Sequence, residues 1–171
     1  MIILDASPLI ALAKIGRLAL LKEVYGEVAV GPSVRIEVVE GGKVVDPAGV
    51  KQVEAALEAR WIRELQPTAE EERLAAQLRE HSRLGAGEAE ALALAGSRHL
   101  LVVLDDKEAR VMAQAIGIPY LGTAGVLLEA LVRGCLRYDE LEEATRDLGT
   151  VLWLSPDVVA EILMRARGLK R

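Results

Sequence analysis

The stretch that most constrains the fold is residues 100–104, LLVVL, which is short and apolar at every position. Such a run is typical of a strand buried on both faces of a parallel sheet. The segments MIIL (1–4) and EVAVG (27–31) are similar, and 119–121 forms a shorter candidate strand. Longer helical stretches separate these runs. The alternation predicts βαβ units and therefore an α/β fold with a mostly parallel central sheet.

Capping signals predict where several helices begin. Ser7 followed by Pro8 is the pattern of an N-cap serine with proline at the first helical position. Thr68 and Glu71 form a capping box for a helix that extends to about residue 82. Gly16 is expected to interrupt the first helix. Further helices are expected over 33–42, 47–60, 87–97 and 106–116, with a strand over 150–154, TVLWL, in the otherwise helical remainder.

Length and composition limit the class of protein. The 171 residues, of which 51% are hydrophobic, are enough for one domain with a sizeable core, so a single domain over 1–171 is expected. The chain has no apolar run long enough to cross a bilayer and no basic region before its first apolar segment, which favours a cytoplasmic protein without a membrane partner. The single cysteine excludes a thiolate-rich metal site, and the presence of only two histidines argues against a histidine-rich one.

Acidic residues follow the predicted strands or begin helices. Asp5 follows the first strand, and Asp105 and Asp106 follow the strand at 100–104. The carboxyl ends of parallel strands meet at one edge of a sheet, so these acids are expected to lie close together. Glu88 opens a helix that runs back toward the start of the 100–104 strand, which places it at the same edge. The position of Glu37 within its helix does not determine which end of the sheet it serves.

Each of these residues also has an ordinary structural interpretation. Acids at helix starts complement the helix dipole, and Asp105 with Glu108 fits a capping box, D-x-x-E. Asp106 is then left in the first helical turn, which favours it over Asp105 as a metal ligand. Ser7 and Thr123 are candidates to orient a water or a phosphate, although both also fit helix caps.

An oxygen-only cluster of carboxylates suits a hard divalent cation, Mg²⁺ or Mn²⁺, held partly through water. One or two such ions activate a water and stabilise the charge that develops in phosphodiester hydrolysis. The net charge of −5 argues against a protein that coats nucleic acid, but a metal site remains compatible with a nuclease.

The ordered motifs resemble those of the PIN-domain ribonucleases. They are LDAS at the end of the first strand, an acid five residues after Pro32, GAGEAEALALA, LDDKEAR and YLGTAGVLLEALVRG. The last three are especially similar to a prokaryotic branch close to the VapC toxins. The resemblance covers about residues 1–135, and 136–171 is expected to form a helical C-terminal extension.

This resemblance implies a three-layer α/β/α sandwich and Mg²⁺ or Mn²⁺ held by Asp5, Glu37, Glu88 and Asp106. It also implies endonucleolytic cleavage of RNA, a homodimer, and a small antitoxin protein as partner. The family usually has an aspartate where this chain has Glu88 and one dominant aspartate after the last strand, which leaves the choice between Asp105 and Asp106 open.

Two other functions are compatible with these features. A non-catalytic PIN-like module that binds RNA or protein would have the same scaffold and acidic surface. A phosphoacceptor receiver domain also gathers acids at strand ends, but it needs a lysine after a late strand, and PYLGTAG has none. A metal-dependent ribonuclease is the favoured interpretation, with a toxin of a toxin-antitoxin pair as its finer form.

Overall fold

The computed structural model describes residues 1–41, 46–152 and 154–169 of the chain. Within these ranges, five strands form one all-parallel sheet in the order β3-β2-β1-β4-β5. The strands are β1 (Ile2–Leu4), β2 (Val28–Val30), β3 (Ile62–Glu64), β4 (Leu101–Val103) and β5 (Tyr120–Leu121). The helices are α1 (Ala6–Lys14), α2 (Ala19–Tyr25), α3 (Pro32–Ile36), a π-helix (Glu37–Gly41), α4 (Pro47–Glu58), α5 (Ala69–Glu80), α6 (Ala86–Arg98), α7 (Lys107–Ala115), α8 (Thr123–Val132), α9 (Tyr138–Leu152) and α10 (Pro156–Gly168).

The central strands bury both of their faces, as continuous apolar runs require. Ile2 and Leu4 of β1 face a cluster built with helices α1, α2, α4, α8, α9 and α10. Ile3 faces the opposite side and packs with residues of α5, α6 and α7. Successive side chains of a strand point to opposite faces, so three residues of β1 are enough to join two cores. The arrangement is a three-layer α/β/α sandwich, which confirms the expected fold class.

The strands expected at 1–4, 27–31, 100–104 and 119–121 are confirmed, each slightly shorter than the apolar run that indicated it. β3 lies in a segment for which the pattern predicts no element, because only Ile62 of its three residues is buried. Among the described strands, β3 is at the edge of the sheet, pairs with β2 alone and can carry the exposed Arg63 and Glu64.

The expected strand over 150–154 is wrong. Residues 150–152 are the last turn of α9, and Trp153 lies outside the described residues. Leu141, Ala144 and Leu148 are buried at helical spacing, and the half-buried residues 151 and 152 pack on the same core one turn later. Burial of this helical face outweighs the strand preference of the short TVL segment.

Two predictions about the first helices have different outcomes. Gly16 interrupts the helical stretch as expected, with a φ of +66° between α1 and α2. The expectation that Ser7 caps α1 is wrong, because the helix begins at Ala6 and its N-cap is Asp5. The chain turns into the helix directly at the end of β1, which leaves Ser7 exposed inside the first turn. Among the described residues, no helix is long and apolar enough to cross a membrane.

Candidate functional site

Asp5 lies at the carboxyl edge of the sheet, where β1 passes directly into α1. It is 5% exposed, and its backbone N–H donates to the carbonyl of Val103 on the neighbouring strand β4. Burial, together with the negative charges of Glu88 and Glu37, raises the pKa of the Asp5 carboxyl to about 6 against the opposing effect of the Ala6 and Ser7 backbone N–H groups. Asp5 is therefore a buried acid whose neighbours disfavour its charged form.

Glu37 reaches the same place from the first residue of the π-helix that follows α3. A Cβ atom on Gly87 would lie 3.2 Å from Asp5 Oδ1 and 3.5 Å from Glu37 Oε2. The two carboxylates thus flank a small space that is open because residue 87 has no side chain. The sequence did not determine at which end of the sheet Glu37 lies, and the structure places it at the carboxyl edge. Short π-helical segments occur frequently at functional sites.

Glu88 begins α6 beside this space and is half-buried. Burial is the largest cause that raises the pKa of Glu88, followed among the acids by the charges of Asp106, Glu37 and Glu108. One oxygen of Glu88 accepts a hydrogen bond of 2.8 Å from the Gly85 backbone N–H at the start of its own helix. Glu88 therefore takes part in both the helix start and the acidic edge, and the expectation that it lies near Asp5 is confirmed.

The structure reverses the expected roles of Asp105 and Asp106 as helix caps. Asp106 is the N-cap of α7, and its Oδ1 accepts a hydrogen bond of 2.9 Å from the Ala109 N–H. Asp105 binds the start of α8 instead, where it accepts bonds from the Thr123 N–H at 2.8 Å and from the Thr123 hydroxyl at 2.5 Å. The Asp105–Glu108 capping box is therefore wrong, and both oxygens of Asp105 are occupied by Thr123.

Thr123 and Ser7 have different surroundings. Thr123 is fully buried and commits its hydroxyl to Asp105, so it positions α8 rather than capping it, because the N-cap of α8 is Gly122. Ser7 is exposed in the first turn of α1, two residues after Asp5. Of these two predicted supporting residues, only Ser7 has a side chain in contact with solvent at this edge.

We use the name acidic cluster for Asp5 and Glu88 together with Glu37 and Asp106, whose negative charges raise the pKa of one or both of the first two. Within the described ranges, none of them forms an ion pair with a lysine or arginine. Their donors are carboxylate oxygens only, which fits Mg²⁺ or Mn²⁺, and the narrow space that a side chain at residue 87 would fill lies against two of them.

No group of three or more Asp, Glu, His or Cys side chains among the described residues is arranged so that it could hold a metal ion. Mg²⁺ commonly keeps several of its waters and binds through only one or two carboxylates. An ion at the acidic cluster would therefore be held directly by no more than two of its carboxylates and otherwise through water.

Two further acids, Glu108 and Glu90, make contacts that the sequence did not predict. Glu108 accepts a hydrogen bond of 2.8 Å from the Arg83 N–H, and this bond joins the start of α7 to the loop before α6. Glu90 accepts from both the backbone N–H and the hydroxyl of Ser33 at 2.9 Å. Both are long-range contacts to other elements, so no local spacing in the sequence indicates them.

A family model described as a PIN domain matches residues 1–168, so this chain belongs to the PIN domain family. The matched range includes the C-terminal helices α9 and α10. No curated protein and no solved structure matches the chain. PIN domains are generally nucleases. The acids gathered at the carboxyl edge of the sheet are consistent with this class of protein.

Proposed function

We propose that this protein is a metal-dependent endoribonuclease that hydrolyses phosphodiester bonds of RNA with Mg²⁺ or Mn²⁺. The observation that carries the proposal is Asp5, a buried carboxylate placed among other acids with no cationic side chain paired to it in the described part of the chain. Such an arrangement disfavours the folded state unless a cation occupies it, and strongly perturbed acids of this kind are concentrated at functional sites.

Each residue of the acidic cluster has a distinct part in this proposal. Asp5 is held rigidly by β1 and the start of α1, so it would provide the best-defined oxygen ligand. Glu37, Glu88 and Asp106 would act beside it, in part through metal-bound waters. A bound divalent ion would neutralise the phosphodiester and lower the pKa of an attacking water, whether one ion or two are present. Asp105 supports the site indirectly, through Thr123 and α8.

The recognition of an anionic substrate has its own candidates on α7. Lys107 and Arg110 follow Asp106 within the first helical turns, and neither forms an ion pair among the described residues. One guanidinium nitrogen of Arg110 lies 3.9 Å from the position of a Cβ on Gly122, beside Asp105. These cations would attract RNA phosphates next to the acidic cluster although the chain has a net charge of −5.

Cleavage of single-stranded RNA with Mn²⁺ tests the proposal. The wild type is expected to cleave, and Asp5→Asn and Asp106→Asn are each expected to lower the rate by at least about 100-fold, because loss of a ligand costs more than loss of an outer-shell contact. Asp157→Asn is the matched control, since Asp157 is an exposed acid in the first turn of α10.

Equal cleavage by the wild type and both variants would overturn the proposal. Stable binding of RNA without any cleavage, together with a melting temperature that Mn²⁺ does not change, would support the non-catalytic binding module instead. The melting temperature is measured on the same preparations, so that loss of activity can be separated from loss of fold.

We further propose that the chain belongs to the VapC-like branch and acts in the cytoplasm as the toxin of a toxin-antitoxin pair. The resemblance of GAGEAEALALA and LDDKEAR to that branch supports this assignment. A neighbouring gene for a short DNA-binding protein, whose product neutralises the ribonuclease on coexpression, is the expected finding. Light scattering is expected to show a homodimer, and growth unaffected by expression of the active chain alone would contradict the toxin role.

A further inference from the structure

The start of α3 is capped by a residue from a different helix. The N-cap of α3 is Gly31, which has no side chain with which to cap it. Glu90, on α6, takes this role: its Oε1 accepts a hydrogen bond from the Ser33 N–H and its Oε2 accepts one from the Ser33 hydroxyl, both at 2.9 Å. A side-chain oxygen placed at a helix start accepts hydrogen bonds from backbone N–H groups that have no partner within the helix.

Gly31 is required by this contact rather than by its backbone conformation. Its φ of −85° is accessible to any residue, but an added Cβ would lie 1.9 Å from Glu90 Oε1. The carboxylate of Glu90 therefore occupies the space that the side chain of an ordinary N-cap residue would fill. A larger residue at position 31 would displace Glu90 without altering Glu90 itself.

The position of Glu37 depends on where α3 lies. α3 has five residues and leads directly into the π-helix that begins with Glu37. A helix of this length is not stable alone, so its position is set by contacts with the rest of the fold. Glu37 is exposed, and no side-chain hydrogen bond to another described residue fixes it.

Two contacts from α6 fix α3. Val34, at the centre of α3, is fully buried, with Cγ2 3.1 Å from the position of a Cβ on Gly87. Glu90 holds the start of the helix one turn further along α6. The same helix thus provides Glu88, the space at Gly87 and the support for α3.

We propose that Glu90 is a positioning residue that holds the start of α3 so that Glu37 stays beside Asp5 at the carboxyl edge of the sheet. This inference rests on the proposed function in one respect, that Glu37 serves the bound cation. The proposed role depends on the hydrogen bonds that the Glu90 side chain makes and not on its charge, because Glu90 acts on Glu37 only through Ser33 and the α3 backbone.

Four variants separate this role from a merely structural one. Glu90→Ala removes both bonds to Ser33, and Gly31→Ala displaces the carboxylate while Glu90 remains present. Glu90→Gln keeps an oxygen for the Ser33 N–H and an amide N–H for its hydroxyl. Glu72→Ala is the matched control, because Glu72 lines the same surface cavity as Ser33 and Glu90 without bonding to α3.

The first measurement is Mn²⁺ affinity by titration calorimetry on the folded proteins. Glu90→Ala and Gly31→Ala are each expected to weaken Mn²⁺ binding by about tenfold, the lower range for loss of an outer-shell support. Glu90→Gln and Glu72→Ala are expected to bind like the wild type. Unchanged affinity in Glu90→Ala, with only a lower melting temperature, would show a structural cap and overturn the inference. Weak binding by Glu90→Gln would show that charge is required and would overturn it as well.

The second measurement is hydrogen exchange of the amides of residues 33–37, which needs no metal. Faster exchange in Glu90→Ala and Gly31→Ala, but not in Glu90→Gln, is expected if Glu90 holds α3. Unchanged exchange in Glu90→Ala would overturn the positioning contact. A wild type that binds no Mn²⁺ would overturn the proposed function and the role of Glu37 as a ligand, whereas the exchange rates would still report on Glu90 and α3.

Discussion

Two carboxylates of this protein are buried to nearly the same extent but have opposite surroundings. Asp5 is 5% exposed and Glu71 is 3% exposed. Burial and the neighbouring acids Glu88 and Glu37 raise the pKa of Asp5 to about 6. Hydrogen bonds from Arg98 lower the pKa of Glu71 to about 2, against the opposing effect of burial.

The contacts explain the difference. Glu71 accepts two hydrogen bonds of 2.8 Å from Arg98 and one of 2.7 Å from the Thr68 N–H, and it completes the expected capping box of α5. Asp5 has no such cation among its described neighbours. Arg98 and Gly87 lie near opposite ends of α6, so one helix joins a charge-paired end to an acidic end. The first end stabilises the fold, and the second lowers stability in a way that a bound cation would offset.

Removing the charge of Asp5 is expected to have the largest effect. Asp5→Asn is expected to lower Mn²⁺-dependent cleavage by at least about 100-fold. In the presence of a chelator it is expected to raise the free energy of unfolding at pH 7 by up to about 3 kcal/mol, because a buried charge that its neighbours disfavour is removed. Urea unfolding and an RNA cleavage assay measure the two effects. A variant that is both inactive and less stable would contradict this account of Asp5.

The corresponding change at the paired end is expected to act on stability alone. Glu71→Gln is expected to lower the free energy of unfolding by about 2 kcal/mol, because the partly buried Arg98 loses its charged partner. Cleavage by the folded variant is expected to match the wild type, since Glu71 does not contact the acidic cluster. Urea unfolding with and without Mn²⁺ measures the change, and a loss of activity in the folded variant would refute the separation of the two ends.

The two carboxylates also predict opposite responses of stability to pH in the metal-free protein. Between pH 3.8 and about 6, folded Asp5 binds more protons than unfolded Asp5, so stability falls as pH rises through this range. Between about pH 2 and 4.5, unfolded Glu71 binds more protons, so stability falls as pH decreases. The free energy of unfolding is measured against pH for the wild type, Asp5→Asn and Glu71→Gln. The difference between the wild type and Asp5→Asn is expected to give the slope due to Asp5, and the difference between the wild type and Glu71→Gln the slope due to Glu71. Slopes of the same sign would contradict the comparison.

The smallest expected effect is at Thr123. Thr123→Val removes the hydroxyl that donates to Asp105 and leaves that carboxylate with one backbone donor. The free energy of unfolding is expected to fall by about 1 kcal/mol. Thr123→Ser keeps the hydroxyl and serves as the control. Thermal unfolding compares the two variants, and a Thr123→Val variant that is as stable as the wild type would contradict a stabilising bond to Asp105.

The gathering of acids at one edge could be predicted because it follows from strand direction. Asp5, Asp105 and Asp106 each follow a parallel strand, and Glu88 begins the helix that leads back to β4. The three-layer fold follows from the same alternation of short buried strands and longer helices. These features depend on order along the chain, which a single sequence shows directly.

The assignment of Asp105 and Asp106 could not be predicted because it depends on a distant contact. Asp105 is turned toward Thr123, eighteen residues away, where β5 ends and α8 begins. Only then does Asp106 become the N-cap of α7. Ser7 was misassigned for a related reason, because the end of β1 at Leu4 makes Asp5 the N-cap of α1. The hydrogen bonds between Glu90 and Ser33 likewise join two helices that are far apart in the sequence.

The starts of α1, α6, α7 and α8 all lie at the acidic edge of the sheet. The partial positive charges of these four helix ends persist when the carboxylates are neutralised. An inactive Asp5→Asn, Asp106→Asn double variant keeps Glu37 and Glu88, but it would repel RNA phosphates less than the wild type does. Such a variant is expected to retain RNA more tightly than the wild type in a chelator, which would make it a trap for isolating the natural substrate from cells.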